Sequence, residues 1–540
     1  MNAGEKLNDL VNTTSAWSPL RIPVFRMLWI ATLASNIGTW MHDIGASWLM
    51  TSLSPTPVMV ALIQTATTLP IFLLAMPAGA LADIIDRRSY LIVVQVWLAL
   101  VAGLLGFLTL TEITSAWSLI ALTFAMGIGS AMMMPAWAAI TPELVPRAEL
   151  QSAIALNGLG INVARAIGPA LAGIIISFAG TGAVFVLNAL SYFLVIIALM
   201  RWQREAPISE LPSERFFNAL RSGFRFARHA PDLQAAVMRG LGFFLFASAS
   251  WALLPMLVKS LANGGPQTFG ILVGCVGAGA VVGALVLPQL REKVSRDRLV
   301  ALATVVYASA MVALATFNQL ILLCLAMAVS GIAWITVLSS LQVAAQMALP
   351  NWVRSRGLAV FMAVIMGSMA LGSLLWGKVA EMTSISEALI IAATGAVVAV
   401  ALTWRWRISG IEKIDLTPSM HWPAPMVHDA VTHDRGPVLV TIQYEVRSDR
   451  TGEFLTMIRE LGKRRCRDGA FAWGIFEHTE HPNHFIEFFS IESWLEHLRQ
   501  HERVTDADRV LQTQLRALLV ISSEPVVTHY VAPDFSLRKQ

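Results

Sequence analysis

The chain has 540 residues, of which 56% are hydrophobic and only 14% charged, with a formal net charge of +4 at pH 7. These values fall outside the soluble globular range and predict a polytopic membrane protein. Three cysteines, Cys275, Cys324 and Cys466, stand without ligand spacing, which argues against a disulfide framework or a zinc site. The basic residues gather in loops, so membrane topology explains the positive charge and a nucleic-acid partner is not expected.

Residues 1–22 show no apolar core ending in a small-residue cleavage pattern, so they read as a cytoplasmic segment rather than a signal peptide. A hydrocarbon core of about 30 Å needs roughly 20 apolar residues per helix. That ruler places spans at 25–50, 56–80, 89–111, 115–140, 151–178 and 182–200, then 235–258, 267–290, 299–317, 319–342, 356–380 and 385–405. The expected architecture is an all-α bundle of twelve membrane helices in two six-helix halves, 23–200 and 234–408, joined by a basic cytoplasmic loop at 201–233.

In the first span Asn36, Thr39, Asp43 and Ser47 follow at i, i+3, i+7 and i+11 and so share one face, a polar stripe turned away from lipid. Asp43 could carry a proton in transport, or serve as a fixed ion pair or packing hydrogen bond. His42 lies about 100° around the helix and reads as a hydrogen-bonded histidine. At the end of the second span stands Gly79-Ala80-Leu81-Ala82-Asp83-Ile84-Ile85-Asp86-Arg87-Arg88. There the glycine would permit close backbone approach, Asp83 would face a helix N-terminus or a cation, and Arg87 and Arg88 would hold the loop in the cytoplasm.

The fifth span carries Arg165 and the small-residue run around Gly168-Pro169 and Ala172-Gly173. Arg165 could pair with Asp43, oppose an anionic substrate or tie two helices together. The small residues read as helix packing, as does the ladder Gly270, Gly274 and Gly277 in the eighth span. Loops bearing Arg87, Arg88, Arg147, Arg291, Arg298, Arg354 and Arg356 alternate with loops almost empty of positive charge except at Lys259, which places both termini in the cytoplasm. A shift of 204 positions lays Gly38 on Gly242, Gly79-Ala80-Leu81 on Gly283-Ala284-Leu285, Gly168 on Gly372 and Gly173 on Gly377, so the halves read as parallel repeats.

Residues 409–436 read as a proline-broken linker. After it, strand-like runs at 438–444, 471–476, 484–491 and 526–531 alternate with helical runs at 449–465 and 493–518. That order, βαββαβ, predicts a small α+β, ferredoxin-like cytoplasmic domain at 437–535. His478, His481, His484, His497 and His501 first look like metal ligands, yet 481 and 484 flank a turn and 497 and 501 read as an exposed helix face, so no metal is expected.

Gly79, Asp83, Arg87 and Arg88 resemble the loop signature of the major facilitator superfamily, with Asp86 where many members have glycine. Gly168, Pro169, Ala172 and Gly173 resemble the fifth-helix signature of its exporters and antiporters. Trp40, Trp48, Asn157 and Pro142-Glu143-Leu144 resemble the enterobactin-exporter branch of bacterial efflux proteins. The fourth span departs from many drug/proton antiporters in lacking their arginine. The tail resembles the dimeric α/β-barrel type. The resemblance implies a non-enzymatic, cofactor-free exporter of a small organic molecule (drug, siderophore or secondary metabolite) in the bacterial inner membrane, coupled to protons through alternating access. It also implies a gate at Gly79, Asp83, Arg87 and Arg88 and a homodimer through the tail, while the polar stripe and the intramembrane charges themselves mark Asp43, Arg165, Asn36, Thr39, His42 and Ser47 as the expected proton or substrate site. Rival expectations are an importer of the same fold and a tail acting as a monooxygenase-like or ligand-binding module.

Overall fold

The computed structural model describes residues 17–203, 216–262, 264–350, 352–408, 419, 422, 435–520 and 524–533. A turn at Ser18–Arg21 leads into α1 (Pro23–Leu53), α2 (Pro57–Ile84), α3 (Arg87–Leu110), α4 (Ala116–Leu144) and α5 (Leu150–Arg201). Proline at the first position starts α1 and α2, where a missing N–H costs nothing. The side chain of Asp86 starts α3 by accepting from the Ser89 N–H at 2.9 Å. Ser115 and Ser118 close a capping box at the start of α4.

Helix α5 is 52 residues long because two spans meet with no loop between them: Gly180 (φ 77°, ψ 171°) breaks the helical path. This left-handed region suits glycine, which lacks the Cβ that other residues would have to strain to place there. The second half runs through α7 (Pro231–Ser260), α8 (Pro266–Lys293), α9 (Arg296–Thr316), α10 (Leu320–Met347), α11 (Arg354–Met382) and α12 (Ile385–Thr403). Ten of the described helices are long and apolar enough to cross a membrane. The kinked α5 supplies two spans and α1, diluted by its polar stripe, completes the expected twelve.

The repeat is visible in the packing. A Cβ on Gly168 would lie 2.7 Å from Trp40 of α1, and one on Gly372 would collide with Ser248 of α7. Gly173 meets Pro266 and Gly270 of α8, while Gly377 meets Ala61 of α2 at 2.6 Å, the equivalent pairing with the halves exchanged. Large apolar side chains such as Val93, Leu100, Phe107, Phe178 and Leu285 face outward, where acyl chains would cover them.

Two compact units are resolved. One comprises Met1–Glu214, Val237–Gln342 and Phe361–Arg407, the other Arg215–Ala236, Val343–Val360 and Ile408–Gln540. The second unit contains α6 (Phe216–His229), a helix inside the segment expected to be a loop. It also contains β1 (Val438–Glu445), α13 (Thr451–Asp468), β2 (Ala472–Glu477), β3 (His484–Ile491), α14 (Trp494–Arg503), α15 (Asp506–Arg516) and β4 (Val526–Val531).

Its sheet has the order β2-β3-β1-β4 with antiparallel pairs throughout, which is the βαββαβ arrangement with its second helical run split in two. The split falls where Thr505 and Asp508 form a new capping box. Val438, Val440, Ile442 and Tyr444 bury one face of β1 and share a core with Phe454, Ile458 and Leu461 of α13. His497, expected on an exposed helix face, is instead 1% exposed. It belongs to the buried stripe Trp494, His497, Gln500 and Arg503 at i, i+3, i+6 and i+9.

Candidate transport site

Within the first unit the polar stripe of α1 faces other helices rather than the lipid side. Asn36, Asp43 and Ser47 are half-buried. Thr39 donates to the Ser35 carbonyl at 3.0 Å, and its hydroxyl lies 3.1 Å from that of Tyr192 on α5. His42 was expected to be hydrogen-bonded. Instead it is buried with its ring 4.8 Å from Phe185, and neither ring nitrogen has a partner among the described residues.

Asp43 makes no hydrogen bond or ion pair among the described residues, and none joins it to Arg165. The Arg165 guanidinium sits over the Trp40 ring at 5.5 Å with its Nε unpartnered. From Trp40 an aromatic path crosses into the other half: Trp251 lies 6.3 Å away, Trp334 a further 5.6 Å, and Phe243, Phe244 and Tyr307 surround Trp334. Sequence reasoning named Trp40 only through resemblance and missed Trp251 and Trp334. The available signal was the repeat itself, since Trp251 occupies the place of Ser47 at the 204-residue shift.

The halves touch at the end of the bundle that carries the α1–α2 and α7–α8 connections. There the Lys259 ammonium donates to the Thr51 carbonyl, Thr65 donates to the Ala370 carbonyl at 3.1 Å, and Trp48 stacks on Phe269 at 6.0 Å. The exporter-like residues Gly168, Pro169, Ala172 and Gly173 are all buried. Gly173 and the Pro169 carbonyl press against Gly270 of the α8 ladder, and Gly277 would place a Cβ 2.6 Å from Ala166. Close backbone approach is therefore what these glycines supply.

At the opposite end Arg87 pairs with Glu143 at 2.7 Å and donates to the Ala139 carbonyl at 3.2 Å, tying α3 to α4. Arg88 closes the end of α5 by donating to the Leu199 and Met200 carbonyls at 2.8 and 2.7 Å. The side chain of Asp83 lies outside the described residues. Among the described residues no atom stands within 4 Å of a Cβ built on Gly79, so the close approach expected there is not met by them, whereas its repeat mate Gly283 would meet Ile335 at 2.7 Å. Sequence reasoning also missed Arg239 of α7, which is buried, pairs with Asp297 at 3.0 Å and donates to the Trp406 carbonyl at 2.6 Å.

The profile of the family described as "Transmembrane secretion effector" matches residues 14–536. The Staphyloferrin A transporter of Staphylococcus aureus (strain NCTC 8325 / PS 47) is 24% identical over 65% of this chain and 87% of its own length. Enterobactin exporter EntS of Salmonella choleraesuis (strain SC-B67) is 27% identical over 52% of this chain and 68% of its own. Among solved structures, a bacterial homolog to the human lysosomal transporter Spinster, in an inward-facing and unoccupied conformation, aligns with a TM-score of 0.57 at 12% identity. The alignment covers 73% of this chain and 98% of that one. A POT family transporter aligns with a TM-score of 0.58 at 13% identity, covering 70% of this chain and 94% of that one. The likeness to the solved structures carries the fold, and the family match carries the class: this chain is a multi-pass small-molecule transporter, not an enzyme, and belongs to the transmembrane secretion effector family of the major facilitator superfamily.

Proposed function

We propose that the protein exports a siderophore-like small organic molecule across the bacterial inner membrane by proton antiport, rocking its two halves around a central cavity that the polar stripe of α1 would line. The observation that carries this reading is Asp43: a carboxylate on a polar stripe inside a membrane bundle, with no cation or donor among the described residues, is available to take up and release a proton. Arg165 and the Trp40, Trp251 and Trp334 path supply a cation and aromatic surface for an organic substrate. The names of the siderophore-handling relatives support the substrate class.

The charge pattern of the loops supports cytoplasmic termini, and the contacts at the Lys259 end then correspond to a state closed on the outer side. Gly79, Asp83, Arg87 and Arg88 act as a cytoplasmic gate that closes when the central cavity faces out. In the tail, Leu439, Phe476 and Tyr530 on the outer sheet face support a homodimer through that domain. The test is efflux from inverted vesicles under an imposed pH gradient, with Asp43→Asn as the variant. Loss of gradient-driven transport with normal membrane insertion is expected. Undiminished transport ends the assignment of Asp43, and substrate accumulation inside intact cells would make the protein an importer.

A further inference from the structure

The C-terminal domain holds a cluster of imidazoles that the transport reading does not use. His497 and His501 stand at i and i+4 on α14 and so share one helix face, a spacing that lets two histidines reach one ion. His529 on β4 pairs across from Val440, whose side chain lies on the buried face of β1, so His529 projects toward the helices. The His497 ring lies 4.8 Å from each of the other two. One nitrogen from each ring falls within 4.8 Å of the others.

Two side chains here are buried without partners. Neither nitrogen of His497 and neither polar side-chain atom of Gln500 meets hydrogen-bond geometry with a described residue, although the Gln500 amide stands close enough to the His497 ring to act on it electrostatically. Leaving such groups unsatisfied is costly, and a coordinated ion would offset that cost for the imidazole. Burial, then the neighbouring imidazoles, push His497 down to about 3. Burial, then His529 and Arg465, push His501 down to about 4, and burial lowers His529. Each imidazole offers a nitrogen lone pair of the kind a transition metal takes. Arg465, the cation nearby, is tied to Glu487 at 3.3 Å. Trp494 flanks His497 at 5.3 Å and Trp422 flanks His501 at 5.0 Å, an apolar wall around the donors.

We propose that His497, His501 and His529 bind one divalent first-row transition-metal ion of the zinc class, with a fourth position open to water or the Gln500 carbonyl oxygen. Tetrahedral coordination at about 2.0–2.1 Å brings ligand nitrogens to about 3.4 Å apart. The half-buried His501 and His529 close that gap by side-chain rotation. Neutral imidazoles favour zinc, cobalt, nickel or copper over magnesium and calcium. The hairpin residues His478, His481 and His484 are exposed, and His478 Nδ1 already accepts from the N–H groups of Glu480 and His481 at 3.0 and 3.2 Å.

The experiment titrates Co2+ into metal-stripped, full-length protein in detergent, reading visible absorption and bound cobalt by mass spectrometry. One cobalt per chain with tetrahedral bands, displaced by Zn2+, is expected. His501→Gln and His529→Ala, both at half-exposed positions that the fold tolerates better than His497, should each weaken binding about tenfold or more, and His481→Ala should leave it unchanged. No retained cobalt in the native protein, or binding that survives both variants and is lost in His481→Ala, overturns the proposal.

Discussion

The membrane bundle and the C-terminal domain bury charge in opposite ways. In the domain, Glu487 accepts from Tyr444 at 2.8 Å, Trp473 at 2.9 Å and Arg465 at 3.3 Å, and Asp508 accepts from Arg464 at 2.9 Å, Arg467 at 3.0 Å and Thr505 at 2.7 Å. In the bundle, among the described residues, Asp43, His42 and the Arg165 Nε stand without such ties, although Arg239 pairs with Asp297 and Arg87 with Glu143. A saturated network fixes one shape. A charge held at cost in an apolar bundle without a fixed partner keeps its interaction energy for a proton or ligand that arrives and leaves. His497 and Gln500 break the domain's own pattern, and that departure marks the metal proposal.

The strongest way to sharpen this contrast is Glu487→Gln. It strands the buried Arg465 guanidinium and should cost the domain about 3–5 kcal/mol, read by chemical denaturation of the full chain; an unchanged midpoint would show that the network is dispensable. Next comes acid. Burial alone would raise Asp508, but Arg467, Thr505 and Arg464 outweigh it and hold it down to about 2. A depressed carboxylate stabilises fully above its unfolded value and loses that contribution as pH falls through the folded one. About 2 kcal/mol of domain stability should therefore disappear between pH 4 and pH 2, as those two values set the window. Asp508→Asn should flatten that part of the profile.

Arg165→Met gives the first half the residue found at Met369 in the second. It should lower transport about tenfold, roughly 1.4 kcal/mol at the barrier, while the melting temperature stays put; a large fall in stability would make Arg165 a packing residue instead. The smallest effect should come from Glu143→Gln. Its pair with Arg87 has side chains 17% and 27% exposed, so the loss should be at most about 1 kcal/mol, a slowing of transport by a few-fold in the same vesicles.

The spans were legible in the sequence because apolar length and loop charge are direct consequences of the bilayer. The glycines at 168, 173, 270 and 277 were legible because close approach leaves few alternatives. What escaped did so for physical reasons. Helix α6 lies in a polar stretch where no membrane ruler applies. Arg239 and Asp297 sit near span ends, where charges are ordinary. The buried stripe of α14 is made of Trp494, His497, Gln500 and Arg503, so polar residue types occupy the inward face and hydrophobic patterning points the wrong way. The unpartnered state of Asp43 could not be read at all, since partners come from helices distant in sequence.

Gly180 has a consequence for how the chain is made. Fifth and sixth spans meet there through Phe178-Ala179-Gly180-Thr181-Gly182, with no charged residue to carry across the bilayer. During synthesis such a pair can enter the membrane as one preformed hairpin, because nothing at its tip resists translocation. The half that holds Asp43 and Arg165 is thus completed by an insertion step whose tip needs almost no hydrated peptide to cross.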